Sequence, residues 1–128
     1  MTRSVCRATI RTWRDERGFA TILGAFAVAA LVAVVIAVIY LGAAVVARHR
    51  AQSAADLSAL AAASDSVYGR PDPCGTARRI AAAQGFAVRV ERCAASDGDI
   101  VVSVAVPVVL GPFGARTAVA SARAGPVS

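Results

Sequence analysis

Residues 18–47, thirty in a row, carry no charged side chain. As a helix rising ~1.5 Å per residue, such a run reaches ~45 Å. The hydrocarbon core of a bilayer is ~30 Å thick and takes ~20 apolar residues. The run therefore predicts a transmembrane helix over 18–47, with about two turns to spare. Two other readings compete with it. A buried core helix would have to be enclosed on all sides, and the rest of the chain is too small to do that. A cleaved secretory signal has an apolar region of ~7–15 residues, about half this length. A small-residue site at Val45, Val46 and Ala47 keeps one alternative open, an exported protein cleaved near Ala47.

The placement of arginine predicts an orientation. Residues 1–17 contain Arg3, Arg7, Arg11, Arg14 and Arg17, whereas the other flank has Arg48 and Arg50 and then no basic residue until Arg70. Basic residues are retained on the cytoplasmic side. The N-terminus is thus expected in the cytoplasm and residues 48–128 outside the plasma membrane. Trp13, just before the span, would lie at headgroup level.

The formal charge of +6 does not point to nucleic acid. Five arginines against Asp15 and Glu16 leave +3 in residues 1–17, and nine arginines against six acids leave a scattered +3 in residues 48–128. All fourteen basic residues are arginine, which, with the alanine content, reads as the coding bias of a GC-rich genome. The tail arginines fit topology signals and contacts with anionic membrane lipid.

Topology also sorts the cysteines. Cys6 would be a cytoplasmic free thiol. Cys74 and Cys93 would lie outside, where disulfides persist, and are expected to pair; two unpaired buried thiols are the alternative.

Four segments follow: a basic tail (1–17), a transmembrane helix (18–47), a helical stalk (48–67) and a small extracytoplasmic α+β module (72–125). No Gly or Pro separates span from stalk, and alanine is the best helix former, so one continuous helix is predicted from about 19 to about 66. Leu57, Leu60, Ala61, Ser64, Val67 and Tyr68 recur at helical spacing, and this apolar stripe is expected to pack on the module. Gly69, Arg70 and Pro71 break the helix. Asp72 reads as an N-cap and Pro73 as the first residue of a second helix, which runs to about Gln84 and ends at Gly85.

Phe86 to Cys93 alternates, with Phe86, Val88 and Val90 on one face and Arg89 and Glu91 on the other, as in a half-buried strand. Ser96, Asp97 and Gly98 form a turn. A second strand over 99–106 is apolar on both faces and is expected to be central, with Pro107 ending the pairing or marking an edge. A second turn falls at Gly111, Pro112, Phe113 and Gly114. A third strand over 115–124 places Ala118, Ala120, Ala122 and Ala124 on one face, where a helix could come close. The fold class is therefore α+β: a long helix, a second helix and a small antiparallel sheet of about three strands. A helix advancing ~15 Å from Cys74 to Gln84 and a strand returning at ~3.3 Å per residue bring Cys93 back beside Cys74.

Catalytic chemistry finds little material. His49 is the one histidine and sits between two arginines at the membrane boundary. No metal-ligand spacing, phosphate loop, dinucleotide fingerprint or nucleophile elbow occurs. Asp56, Asp65, Asp72, Glu91, Asp97 and Asp99 are read at caps, turns and exposed faces. No catalytic, metal or cofactor-binding residues are therefore assigned, and no small-molecule substrate or nucleic acid is expected. Within the span, Ala25, Ala29, Ala33 and Ala37 recur every four residues, a candidate helix-packing face.

Arg17-Gly18-Phe19-Ala20-Thr21 leads into the span, and Ala47-Arg48-His49-Arg50-Ala51-Gln52-Ser53-Ala54-Ala55-Asp56-Leu57 follows it. This arrangement resembles the TadE/TadG-like proteins of the Flp (tight-adherence) pilus machinery, over about residues 11–65, and is similar to the short TadE-like proteins of high-GC actinobacteria encoded beside secretion genes. The cysteine pair and the closing Ala124, Gly125 and Pro126 also look like that subgroup. The resemblance implies a pilin-like component or assembly factor rather than an enzyme, with TadE/TadG-like or pilin-like subunits and secretion platform proteins as partners. It also implies a possible processing site between Gly18 and Phe19. Pilin-type precursors carry glutamate five residues after the cut glycine; here that position is Leu23, so an uncut signal anchor is the competing reading. A membrane-anchored binding module unrelated to pili is the alternative function.

Overall fold

The computed structural model describes residues 9–85 and 87–126, with side chains from Gly18 onward. Arg3, Arg7, Cys6 and Phe86, and the side chains of Arg11, Trp13, Arg14 and Arg17, to which the sequence assigns roles, lie outside the described residues. The element order is α1 (Thr9–Val67), α2 (Pro73–Ala83), β1 (Arg89–Ser96), β2 (Asp99–Val109) and β3 (Ala115–Ala124). The class is α+β, as the sequence predicts. Helix α1 begins at Thr9, earlier than the expected start near 19, because residues 9–17 contain no Gly or Pro to delay it.

By contact the chain divides into two units, residues 1–39 and 40–128. In the first, every side chain from Gly18 to Ile39 is exposed. In the second, the remainder of α1 joins α2 and the sheet around one core. That core comprises Ala51, Ala54, Ala55, Ala59, Ala62 and Ala63 of α1, Ala77 of α2, Ile100, Val102, Val104 and Val106 of β2, and Ala120 of β3.

The face that α1 buries differs from the one expected. Leu57 and Leu60 are 47% and 61% exposed, Val67 and Tyr68 more so, and Ser64 is also exposed. Only Ala61 of that stripe is half-buried. The buried stripe is instead Ala47, Ala51, Ala54, Ala55, Ser58, Ala59, Ala62 and Ala63. Helical periodicity alone cannot distinguish two stripes, and here the smaller one fits. β2 already supplies branched side chains between sheet and helix, so facing leucines would overfill the space.

A Schellman cap ends α1. The amide of Gly69 donates to the Ser66 carbonyl at 3.1 Å and that of Arg70 to the Asp65 carbonyl at 2.9 Å. Gly69 adopts φ 69°, the left-handed conformation this cap requires. Asp72 caps α2 as predicted, accepting from the Gly75 amide at 2.8 Å, with Pro73 in the first turn.

The sheet is antiparallel in the order β1-β2-β3, with β2 central. β1 starts at Arg89, later than expected, because the Val88 amide is taken by a turn to the Gly85 carbonyl. Glu91 is an extra residue in β1: Val90 pairs with Val104, but Arg92 pairs with Ser103 and Cys93 with Val102. This bulge changes which residues face inward. Before it Val88 and Val90 pack on the core; after it Cys93 does. β2 runs past Pro107 to Val109. The last β1 pairing is at Ala105, so Pro107 lies where β2 has a partner on one side only, an edge that tolerates a residue without an N–H. β3 matches its expected bounds. Its Ala118, Ala120, Ala122 and Ala124 stand opposite Val106, Val104, Val102 and Ile100, pairing each large inward residue with a small one.

Candidate functional site

Gly18 and Phe19, the candidate processing pair, both lie within α1 and both are exposed. A Cβ built at Gly18 would meet nothing within 4 Å. Ala25, Ala29, Ala33 and Ala37 are likewise exposed along α1. Residues four apart advance ~40° around a helix, so the four alanines form a ridge winding through ~120°. Small residues on such a ridge let a second helix cross at short range. Around them stand Phe19, Ile22, Leu23, Phe26, Leu31 and Ile36, all exposed. By length and composition α1 can cross a membrane, and its most apolar window is exposed among the described residues.

Cys74 and Cys93 are joined in a disulfide with their Cα atoms 5.9 Å apart. The bond ties the first turn of α2 to the middle of β1, which the bulge at Glu91 has turned inward. A loop of this length is worth ~3 kcal/mol in the chain-entropy model.

Asp65 departs from its expected place at a cap or exposed face. It is buried, accepts a hydrogen bond from Thr76 Oγ1 at 2.5 Å and pairs with Arg70 Nη1 at 3.4 Å. It thus locks the end of α1 to α2. Its place one turn below a Gly-Arg-Pro break was the available signal. On the outer face of the sheet, Ser103 and Ser121 share a hydroxyl hydrogen bond at 2.7 Å and Arg123 Nε donates to Asp99 Oδ2 at 2.5 Å. His49 lies exposed in a shallow groove with Val46, Arg50, Ser53, Gln84 and Val88. Among the described residues no three His, Cys, Asp or Glu side chains converge as a metal site would need.

The part of α1 that is wholly exposed and the part that is packed on the sheet fall in one stretch of sequence similarity. Residues 18–65 match the family model Tad, described as Flp pilus-assembly TadE/G-like. This stretch is similar to TadE/G-like domains. It begins at Gly18, where the uncharged run starts, and ends at Asp65, whose carbonyl accepts the capping bond from Arg70. α2, the disulfide and the sheet lie beyond the match. No curated protein and no solved structure matches the chain. The match supports a role related to Flp/Tad pili, and the one long apolar helix among the described residues is compatible with anchoring in a membrane.

Proposed function

We propose that this chain is a pilin-like structural or assembly component of a Flp/Tad-type pilus or a related secretion system. One helix anchors it in the plasma membrane, with residues 1–17 in the cytoplasm and the disulfide-stapled module outside. The observation that carries this reading is the position of the TadE/G-like match: it covers the exposed apolar part of α1 and continues through the part packed on the sheet. The arginine excess in the tail supports the orientation. The ridge of Ala25, Ala29, Ala33 and Ala37 is the assembly face, meeting TadE/TadG-like or pilin-like subunits or a secretion platform protein within the bilayer. In this role the chain does no catalysis; its work is packing and presentation.

The test is recovery of the full chain from cell membranes after crosslinking from a cysteine placed at Ala29, in a Cys6→Ser background. Intact mass and N-terminal sequencing accompany it. The expected result is a membrane-bound chain, uncut or beginning at Phe19, crosslinked to another pilus component. A chain beginning at Arg48 or beyond and free of the membrane would overturn the anchor. A membrane-bound chain with no helix partner at Ala29 would favour a binding module unrelated to pili.

A further inference from the structure

The two hairpin turns of the sheet are built from opposite materials. The β1–β2 turn is Asp97-Gly98, with φ 53° and 87°, flanked by Ser96 and Asp99. This is the polar two-residue turn expected in water. The β2–β3 turn runs through Val109, Leu110, a 3₁₀ turn at Gly111–Phe113, and Gly114. Residues 100–115, on both sides of it, hold no charge. Val109 is 73% and Phe113 67% exposed. Large apolar side chains gathered at an exposed tip call for something to cover them.

The tip has a definite position along α1. The Phe113 ring meets the Tyr40 ring edge-on, with centroids 5.8 Å apart and planes at 88°. Gly111 lies so close to Tyr40 that a Cβ there would collide with the phenol oxygen. Tyr40 is the first half-buried residue of α1 after Gly18; Ala43 and Ala44 are also half-buried and Ala47 is buried. The 22 residues 18–39 rise ~33 Å as a helix, which matches the ~30 Å hydrocarbon core. The surplus of two turns in the uncharged run now has a use: the module covers one side of residues 40–47, at Tyr40, Ala43, Ala44 and Ala47, while Leu41, Val45 and Val46 on the other side stay exposed and apolar.

We infer that the β2–β3 tip docks on the bilayer surface, seating Phe113, Val109 and Leu110 at the boundary between headgroups and acyl chains beside Tyr40. Tyrosine is enriched at that level, where its ring is in an apolar layer and its hydroxyl in a wet one. The first charges beyond the span, Arg48 and Arg50, come ~12–15 Å further along the helix. Side chains on a helix lean toward its N-terminus, and long arginine stems reach back along it toward the phosphate layer. The absence of charge at the tip itself, residues 107–115, together with the height set by Tyr40, favours lipid over a protein partner. The tip thereby fixes how far the helix sinks and holds the module against the membrane surface.

This inference rests on the membrane-anchor reading, and the experiment separates the two. The full chain carrying Trp13→Phe is reconstituted in vesicles of phosphatidylcholine and phosphatidylglycerol, and one tryptophan is restored at a time by Phe113→Trp, Val28→Trp or Val119→Trp. Emission is compared with lipid brominated near the headgroup end of the acyl chain and with lipid brominated near the chain terminus. The expected result is that shallow bromines quench F113W more than deep ones do, that deep bromines quench V28W more, and that V119W, on the outer face of the sheet, keeps its emission. Quenching of V28W without quenching of F113W would overturn the tip docking and leave the anchor standing; a second copy or another protein covering the tip gives that outcome. No quenching at Val28→Trp would overturn the anchor and the docking together.

Discussion

Two stretches of the same helix use alanine for opposite ends. In residues 18–39 alanine is interspersed with Phe19, Ile22, Leu23, Phe26, Val28, Leu31 and Ile36, and every side chain is exposed. In residues 47–63 the buried residues are alanines and Ser58, and the leucines, Leu57 and Leu60, are exposed. A helix meant for lipid needs apolar side chains all round and can leave any face to a neighbour. A helix meant for a small sheet needs one face shaped to fit. The sheet here brings Ile100, Val102, Val104 and Val106, so the helix brings small side chains. Hydrophobicity decides the first stretch, and volume decides the second.

The largest effect comes from testing the difference with a charge. Val28→Arg, near the middle of 18–39, is expected to oppose membrane insertion by about 3 kcal/mol. Leu60→Arg should change module stability by no more than about 0.5 kcal/mol, the usual range for a surface position. The measurements are the membrane-bound fraction of each variant in cells and the melting midpoint of each in detergent. A loss of midpoint in L60R comparable to that of a core variant would mean that the leucine stripe, not the alanine stripe, meets the sheet.

A volume test comes next. Ala55→Leu places three extra carbons on the fully buried side of α1 and should cost about 2 kcal/mol, which lowers the midpoint of a domain this size by roughly 10 °C. Ala29→Leu adds the same volume in the exposed stretch and should leave the midpoint unchanged. If the ridge of Ala25, Ala29, Ala33 and Ala37 packs on another helix, A29L weakens that crosslink instead. Thermal melting by circular dichroism and crosslinking yield from Ala33→Cys read the two effects separately.

Much of this architecture was legible in the residues. Elements whose limits are set by local chemistry came out in place: the Gly69-Arg70-Pro71 break, the Asp72-Pro73 start of α2, the Asp97-Gly98 turn and the third strand. Cys74 and Cys93 could be brought together because a helix and a returning strand have fixed rises. What could not be read depends on partners distant in sequence. The bulge at Glu91 is one extra residue in an otherwise regular alternation, and nothing in residues 86–93 marks it. The alanine stripe hides beside a more hydrophobic one, and only the volume of β2 decides between them. Asp65 looks like any stalk acid until Thr76 is brought to it. For the candidate assembly face the sequence and a single chain carry the same information, since a ridge of alanines acquires meaning from a second helix.

The smallest effect bears most directly on why the buried stripe is made as it is. Ser58 is fully buried among the alanines of α1, and its Oγ has no hydrogen-bond partner among the described residues. Ser64, exposed one face away, donates its hydroxyl to the Leu60 carbonyl at 3.0 Å. If the stripe requires only smallness, Ser58→Ala removes a desolvated hydroxyl and improves helix propensity, so stability should rise by about 1 kcal/mol. Ser64→Ala, which removes a satisfied bond in water, should change stability by less than half of that. Chemical denaturation of the two variants in detergent makes the comparison. A loss of stability in S58A would show that the hydroxyl serves a polar contact within the core, and the packed half of α1 would then be selected for a specific bond as well as for volume.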